Sequence, residues 1–174
     1  MTPVTCKSCE LRYLDHLSHC PRCDTPRLEP TRQEKWDLRF MELAKHYAGW
    51  SKDPSTKIGA VVVDSLNRQL GQGYNGFPRG VNDDPERYAS REEKYPLVVH
   101  AELNAILNCT LSPRGATLYV YPLPPCPECT KAIIQSGIKR VVISSDCDRP
   151  EWMQAFRRHS KVMLDEAGVE VSIV

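Results

Sequence analysis

The chain has no run of about 18 apolar residues, so nothing in it predicts a membrane-spanning helix. The stretch from Met1 to Glu10 lacks the apolar segment of a signal peptide, and the expectation is a cytoplasmic protein with no membrane partner. Charge of one sign is also missing: 23 Lys and Arg against 22 Asp and Glu leave a net charge of +1. No overall field then favours nucleic acid or a lipid surface. Internal repeats and low-complexity tracts are absent. A length of 174 residues allows one ordinary domain and a small appendage, and 41% hydrophobic residues suit a globular core.

What the chain does have is cysteine. Six of its eight Cys fall in three C-x-x-C pairs, which points to metal in a reducing compartment rather than to disulfides. Cys109 and Cys147 are left over and read as core or near-surface thiols. Cys6-x-x-Cys9 and Cys20-x-x-Cys23 stand ten residues apart. Four thiolates can close a tetrahedral structural site, and a segment this short cannot bury a core without one. Residues 1–30 therefore read as a zinc ribbon, two knuckles joined by a short hairpin or turn, ending near Pro30. His16 and His19 could replace a ligand, but four Cys suffice. Arg12, Arg22, Arg27 and Arg32 are interleaved with Glu10, Asp15, Asp24 and Glu29. That mixture favours a structural or oligomer-contact role over nucleic-acid binding.

The third pair belongs to a different arrangement. His100-Ala101-Glu102 is answered by Pro125-Cys126-Pro127-Glu128-Cys129. One His and two Cys leave the fourth corner of a zinc tetrahedron open, as in a catalytic site. Glu102, two residues after the His, is the natural general acid and base. A C-x-x-C alone could be a redox pair, and a lone His is usually an ordinary polar residue. The two half-motifs together make the zinc-dependent nucleobase deaminase signature.

The rest of residues 31–174 reads as one α/β domain. Thr31-x-x-Glu34 is a capping box that opens a helix running to about Gly49. Its predicted apolar face is Trp36, Phe40, Leu43, Ala44 and Tyr47. Ile58–Val63 is a β-branched strand, and Gln69–Tyr74 is its antiparallel partner. The Gly73–Gly80 loop has glycines that would let backbone approach a ligand, or is only a turn. Residues 81–95 read as a solvated insertion with room for a short helix. A helix over 98–108 is predicted to bury Val99, Leu103, Ile106 and Leu107. A central strand over 116–121 leads to a helix opened by Cys126 and closed at Ser136-Gly137. A strand over 140–144, a helix over 151–167 closed by Gly168, and a strand over 169–174 complete the order αββαβαβαβ. That alternation predicts a three-layer α/β/α sandwich around a mixed five-stranded sheet.

Residues 34–174 resemble the deoxycytidylate deaminase branch of the cytidine deaminase superfamily. The resemblance rests on Ser51-Lys52-Asp53-Pro54, Gly73-Tyr74-Asn75-Gly76-Phe77-Pro78, Lys94-Tyr95-Pro96, His100 to Ile106, Pro125 to Cys129, Ile133 to Lys139 and Ala167-Gly168-Val169. It implies a cytidine deaminase-like fold and hydrolytic deamination of dCMP to dUMP, feeding thymidylate synthesis. It implies a catalytic zinc on His100, Cys126 and Cys129, with Glu102 moving protons, beside the structural zinc of the ribbon. Asn75 would contact the sugar, and Ser51 and Lys52 would contact phosphate or effector. The resemblance further implies a homo-oligomer, often a hexamer. It also implies activation by dCTP and inhibition by dTTP, through Gly73, Tyr74, Asn75 and Gly76. Two departures stand out. The 121–125 segment, whose carbonyls would meet the leaving amine, is one residue longer than usual. Asp148 stands where an aromatic would contact the nucleotide, and nearby Trp152 is the candidate to replace it. The competing readings are a deaminase of cytidine, guanine or tRNA adenosine, a non-catalytic ribbon protein that binds nucleic acid, and a purely structural two-zinc protein.

Overall fold

The computed structural model describes residues 3–5, 9, 12–14, 19–23 and 30–174. The chain divides into two units, residues 1–36 and 37–174. In the first, β1 (Pro3–Thr5) pairs antiparallel with β2 (Arg12–Leu14), and Cys9 falls between the two strands in sequence. Cys6 and His16, both named as ligand candidates, lie outside the described residues. The capping box forms as the spacing predicts. The Thr31 amide donates to Glu34 Oε2 at 2.7 Å, and the Glu34 amide donates to Thr31 Oγ1 at 3.1 Å. These bonds satisfy two amides at the start of α1 (Arg32–Ala48).

The second unit is built on a five-stranded mixed sheet in the order β4-β3-β5-β6-β7. The strands are β3 (Gly59–Val63), β4 (Gln69–Tyr74), β5 (Thr117–Tyr121), β6 (Arg140–Ile143) and β7 (Glu170–Ile173). β3 runs antiparallel to both β4 and β5, whereas β5, β6 and β7 run parallel. β4, β5 and β6 therefore all end at the same side of the sheet. β5 is central and β3 is wholly buried, as their apolar, β-branched sequences predict.

Strand pairing sorts the side chains into two faces. Ala60, Val62, Leu118, Val120, Val141 and Ile143 share one face and form the main core with Ala101, Ala105, Ile133 and Leu164. Each fully buried aliphatic of this set contributes about 1.5–3 kcal/mol. The helices on this face are α3 (Ala101–Leu107), α4 (Pro127–Ser136) and the last helix. The opposite face carries Tyr119 and Arg140, which meet α1. The Phe40 and Tyr119 rings lie 5.2 Å apart, and Arg140 forks onto Asp37 with two 2.7 Å bonds. Tyr119 also donates to Asp37 at 2.8 Å. The result is the expected α/β/α layering. Among the described residues no helix is long and apolar enough to cross a membrane.

Four local expectations change. α1 buries Phe40, Met41, Ala44 and Ala48, with Asp37, so its inner face is rotated from the predicted one toward the Arg140 partner. The polar stretch over 81–95 has the short helices it had room for, a 3-10 turn, Pro85–Tyr88, and α2 (Arg91–Leu97), but it is not wholly solvated, because Tyr88 and Lys94 are buried. The last helix is interrupted: α5 (Pro150–Ala155) passes through a π turn, Phe156–Ser160, into α6 (Lys161–Glu166).

The fourth concerns α3. It starts at Ala101 rather than Val98, and its inner residues are Ala101, Glu102 and Ala105, while Leu107 is 70% exposed. Close packing is the reason. α3 lies directly on β4, where a Cβ at Gly73 would sit 2.4 Å from the Ala105 nitrogen and 2.5 Å from the Ala101 oxygen. Only small residues fit between backbones so near each other. Gly73 thus serves the close packing of the helix. The Asn104 amide donates to Tyr74 O at 2.8 Å and the Asn108 amide to Gln72 O at 3.0 Å, fastening α3 along the outer edge of β4. Thr110 closes the row, its backbone amide donating to Leu70 O at 3.1 Å.

Gly73→Ala must push α3 off the sheet. The expected cost is about 1–3 kcal/mol of unfolding free energy in urea titrations. A variant as stable as the parent would show that α3 can shift without penalty.

Candidate active site

The site lies beyond the ends of β4, β5 and β6, where ligands commonly bind in α/β sheets. Two helix starts meet there. His100 is the N-cap of α3 and Cys126 the N-cap of α4. His100 is held from behind by a two-way backbone bridge between Val99 and Gly76, with bonds of 2.8 and 3.2 Å. His100 Nδ1 lies 3.4 Å from Cys126 Sγ and 3.3 Å from Cys129 Sγ. The three candidate ligand atoms all fall within 4.8 Å of one another.

The electrostatics of these groups follow from their contacts. The Cys126 thiol is pulled down to about 4, chiefly by its hydrogen bond with Cys129 and further by His100. Cys129 is pushed up by the same hydrogen bond and by burial. A dication among them would hold both sulfurs as thiolates. His100 is raised, first by its bond to Cys126. Glu102 is only 3% exposed, and burial pushes its carboxyl up against the opposing pull of His100. Its Oε2 has no hydrogen-bond partner among the described residues. An unsatisfied buried oxygen costs about 1–3 kcal/mol, so its persistence here points to chemistry rather than packing. Two soft sulfurs and an imidazole beside such a carboxylate are a fitting set for zinc.

Beside these groups opens a cavity of about 490 Å³, of the size that takes a small organic ligand. His100, Glu102 and Cys126 line it, as do Leu123 and Pro124 from the 121–125 segment. Asn75 and Trp152, both singled out from sequence, also line it, whereas Asp148 does not. Asn75 is buried: its Oδ1 accepts from the Ile58 amide at 2.8 Å, and its Nδ2 donates to Thr56 O at 2.9 Å.

Ser51 and Lys52 are not among the lining residues. Ser51 is buried, and its hydroxyl donates to Asn75 O at 2.7 Å. Lys52 is exposed and paired with Asp83 at 2.6 Å. Successive residues of this extended loop alternate sides, so Ser51 and Asp53 turn inward and Lys52 outward. Of the proposed effector residues, Gly73 lies against α3, and Tyr74 is 38% exposed, its ring 6.1 Å from that of Trp50. Gly76 carries the backbone bridge to Val99.

Residue-by-residue reading missed the polar wall of the cavity: Asp53, Ser55, Arg91, Lys94 and Arg149. Lys94 Nζ lies 3.1 Å from Asp53 Oδ2 and donates to Ser55 Oγ at 2.8 Å, and both ions of the pair are buried. Burial would raise Asp53, but the Ser55 amide and hydroxyl, Lys94 and the Thr56 amide together hold it below its ordinary value. A signal was present, since Asp53 and Lys94 are opposite charges inside two of the quoted motifs. In the N-terminal unit, Cys9 Sγ lies 3.4 Å from Cys20 Sγ and 3.5 Å from Cys23 Sγ. Those three sulfurs form the second possible metal-ligand group among the described residues.

Comparison with known proteins agrees with this geometry. Residues 34–145 match the family described as the cytidine and deoxycytidylate deaminase zinc-binding region. A deoxycytidylate deaminase of Pongo abelii is 47% identical over 143 residues, covering 78% of this chain and 77% of its own. A probable deoxycytidylate deaminase of Drosophila melanogaster is 45% identical over 148 residues, covering 78% of this chain and 70% of its own. Among solved structures, dCMP deaminase from the cyanophage S-TIM5, in complex with dCMP and dUMP, is similar with a TM-score of 0.66 and 27% identity. That match covers 84% of this chain and all of the other, 100%.

Asp53→Asn would leave the Lys94 ammonium buried without its counter-charge. The expected loss is about 3–5 kcal/mol in urea unfolding, and part of it returns when Lys94→Met is added. The carboxylate is depressed in the fold, so its contribution is present above the usual Asp range near pH 4 and lost as pH falls through the lower folded value. Simple additivity of the two substitutions would refute the pairing.

Proposed function

The chain belongs to the cytidine and deoxycytidylate deaminase family, and from that footing we propose that it is a zinc-dependent enzyme hydrolysing dCMP to dUMP and ammonia. One observation carries the reading. His100, Cys126 and Cys129 converge beside a buried, unpartnered Glu102 oxygen at the floor of a nucleotide-sized cavity. Zinc on the three ligands would supply the Lewis acidity that makes water a nucleophile near neutral pH.

Glu102 does the proton work. Its carboxylate takes a proton from the attacking water and delivers it to ring N3, which makes C4 electrophilic. It then takes the proton of the new C4 hydroxyl and hands it to the amine, which leaves as ammonia while the C4 carbonyl forms. Burial suits it to both tasks, because a carboxyl lifted toward neutrality can accept and donate. Leu123 and Pro124 close the cavity beside the exocyclic amine and exclude bulk water. Trp152 offers an aromatic surface to the nucleotide, and Asn75 fixes the wall that faces the sugar. Arg91 and Arg149 are the cationic groups placed to meet the phosphate, with Lys94 behind them. Ser51 and Lys52 support that wall rather than touch the phosphate.

The rest of the reading concerns assembly and control. The protein acts in the cytoplasm as a homo-oligomer, the hexamer that its sequence resemblance implies, on the path to thymidylate. dCTP activates and dTTP inhibits through the Gly73–Gly76 segment, where the exposed Tyr74 ring offers a stacking surface and Asn75 connects to the cavity. Residues 1–30 form a zinc ribbon with a structural ion on Cys9, Cys20 and Cys23, Cys6 being the fourth ligand by its spacing. A neutral total charge and interleaved acids argue against nucleic acid as the ribbon's partner.

Ammonia release from dCMP tests the reaction. Glu102→Gln should keep its zinc and lose turnover by about 10²–10⁴-fold. An active Glu102→Gln enzyme would remove the proton shuttle from the mechanism. Cys126→Ala should lower the zinc content by about one ion per chain in metal analysis and leave the ribbon ion in place. Unchanged metal content would reject Cys126 as a ligand. Release from cytidine or guanine, with none from dCMP, would move the substrate elsewhere in the superfamily.

A further inference from the structure

The loop that delivers Cys126 is fastened to a part of the chain that the reaction does not otherwise use. The last helix widens into its π turn at Phe156–Ser160, where the Lys161 amide reaches back five residues to Phe156 O. Such single wide turns are uncommon and frequently sit at functional sites. This one packs against α4 and presents Phe156 and Ser160, both buried, toward the core. Ser160 is 0% exposed, and its hydroxyl donates to the Pro125 carbonyl at 2.9 Å.

Pro125 immediately precedes Cys126. Its carbonyl stands outside α4 and, among the described residues, takes no backbone hydrogen bond. The next carbonyl along is different. Cys126 O accepts from the Thr130 amide at 2.9 Å as well as from the Thr130 hydroxyl at 2.9 Å. Loss of the Thr130 hydroxyl would therefore leave Cys126 O satisfied, whereas loss of the Ser160 hydroxyl would orphan a buried acceptor beside a metal ligand. One residue of an α-helix turns the following side chains by about 100°, so the widened turn decides whether Ser160 faces this loop.

We infer that Ser160 is a positioning residue of the deaminase centre. Its hydroxyl, aimed by the π turn, fixes the Pro125 peptide so that Cys126 Sγ is presented to the metal shared with His100 and Cys129. The inference rests on the zinc reading given above. It goes beyond it in assigning the last helix a part in holding the metal.

The experiment compares the zinc-loaded parent with Ser160→Ala, Ser160→Thr and Thr130→Val. Zinc release to a chromogenic chelator is followed in each, together with the ligand-field spectrum of the cobalt-substituted protein. Outer hydrogen bonds of this kind typically govern about 10–100-fold in metal affinity. Ser160→Ala should release zinc at least about tenfold faster and shift the cobalt bands. Ser160→Thr, which keeps the hydroxyl, should restore slow release, and Thr130→Val should resemble the parent. Ser160→Ala indistinguishable from the parent, or Thr130→Val as leaky as Ser160→Ala, would overturn the assignment while leaving the zinc reading intact. If Ser160→Ala fails to fold, the contrast of Ser160→Thr with Thr130→Val decides: a leaky Ser160→Thr beside a tight Thr130→Val overturns the assignment. A parent that binds no zinc at this centre would overturn both readings at once.

Discussion

The contact on which the site depends is the backbone-to-backbone approach of α3 to β4. With only hydrogen at Gly73, the helix can settle where a Cβ would be 2.4 Å from its nitrogen. That position sets the start of α3, and with it the directions of His100 and Glu102. The second helix start, at Cys126, belongs to α4, which packs on the same face of the sheet. Two short helices aimed at one point bring Cys126 and Cys129, 26 and 29 residues beyond His100 in sequence, to within 3.4 Å of its ring. A rigid sheet beneath them supplies the precision that a catalytic centre needs.

Electrostatics around the cavity follow a division of labour. Deep in the site, burial raises Glu102 against the pull of His100, and the contact between the two Cys lowers Cys126 and raises Cys129. Lys94 and Asp53 neutralise each other, which allows both ions to stay buried in the cavity wall. Arg91 and Arg149 add positive charge to the cavity wall. Glu151 lines the same cavity and offsets part of that charge.

Much of this was legible in the sequence, for physical reasons that can be named. The two metal half-motifs are local, because each is written within a few residues around a helix start. β3 and β5 read correctly because continuous apolar, β-branched runs have few other uses. The face of α3 did not read correctly. Its large residues Leu103 and Leu107 suggest the core, yet the close approach admits only Ala101 and Ala105. Ser51, Lys52 and Asp53 were equally plausible by position, and only the alternation of an extended loop distinguishes those turned inward from the one turned out. Ser160 left no trace, since its partner is 35 residues away and a serine in a helix is commonplace.

The row of side-chain amides from α3 along β4 has another consequence. Edge strands with free carbonyls recruit further strands. On β4 the carbonyls of Leu70, Gln72 and Tyr74 are already occupied by Thr110, Asn108 and Asn104. The sheet is therefore stoppered on that flank. Among the described residues the open flank is β7, where half of the strand is exposed and no neighbour lies beyond it in the sheet order. The sheet has a polarity for growth: one margin is finished by α3, and the other is left ragged.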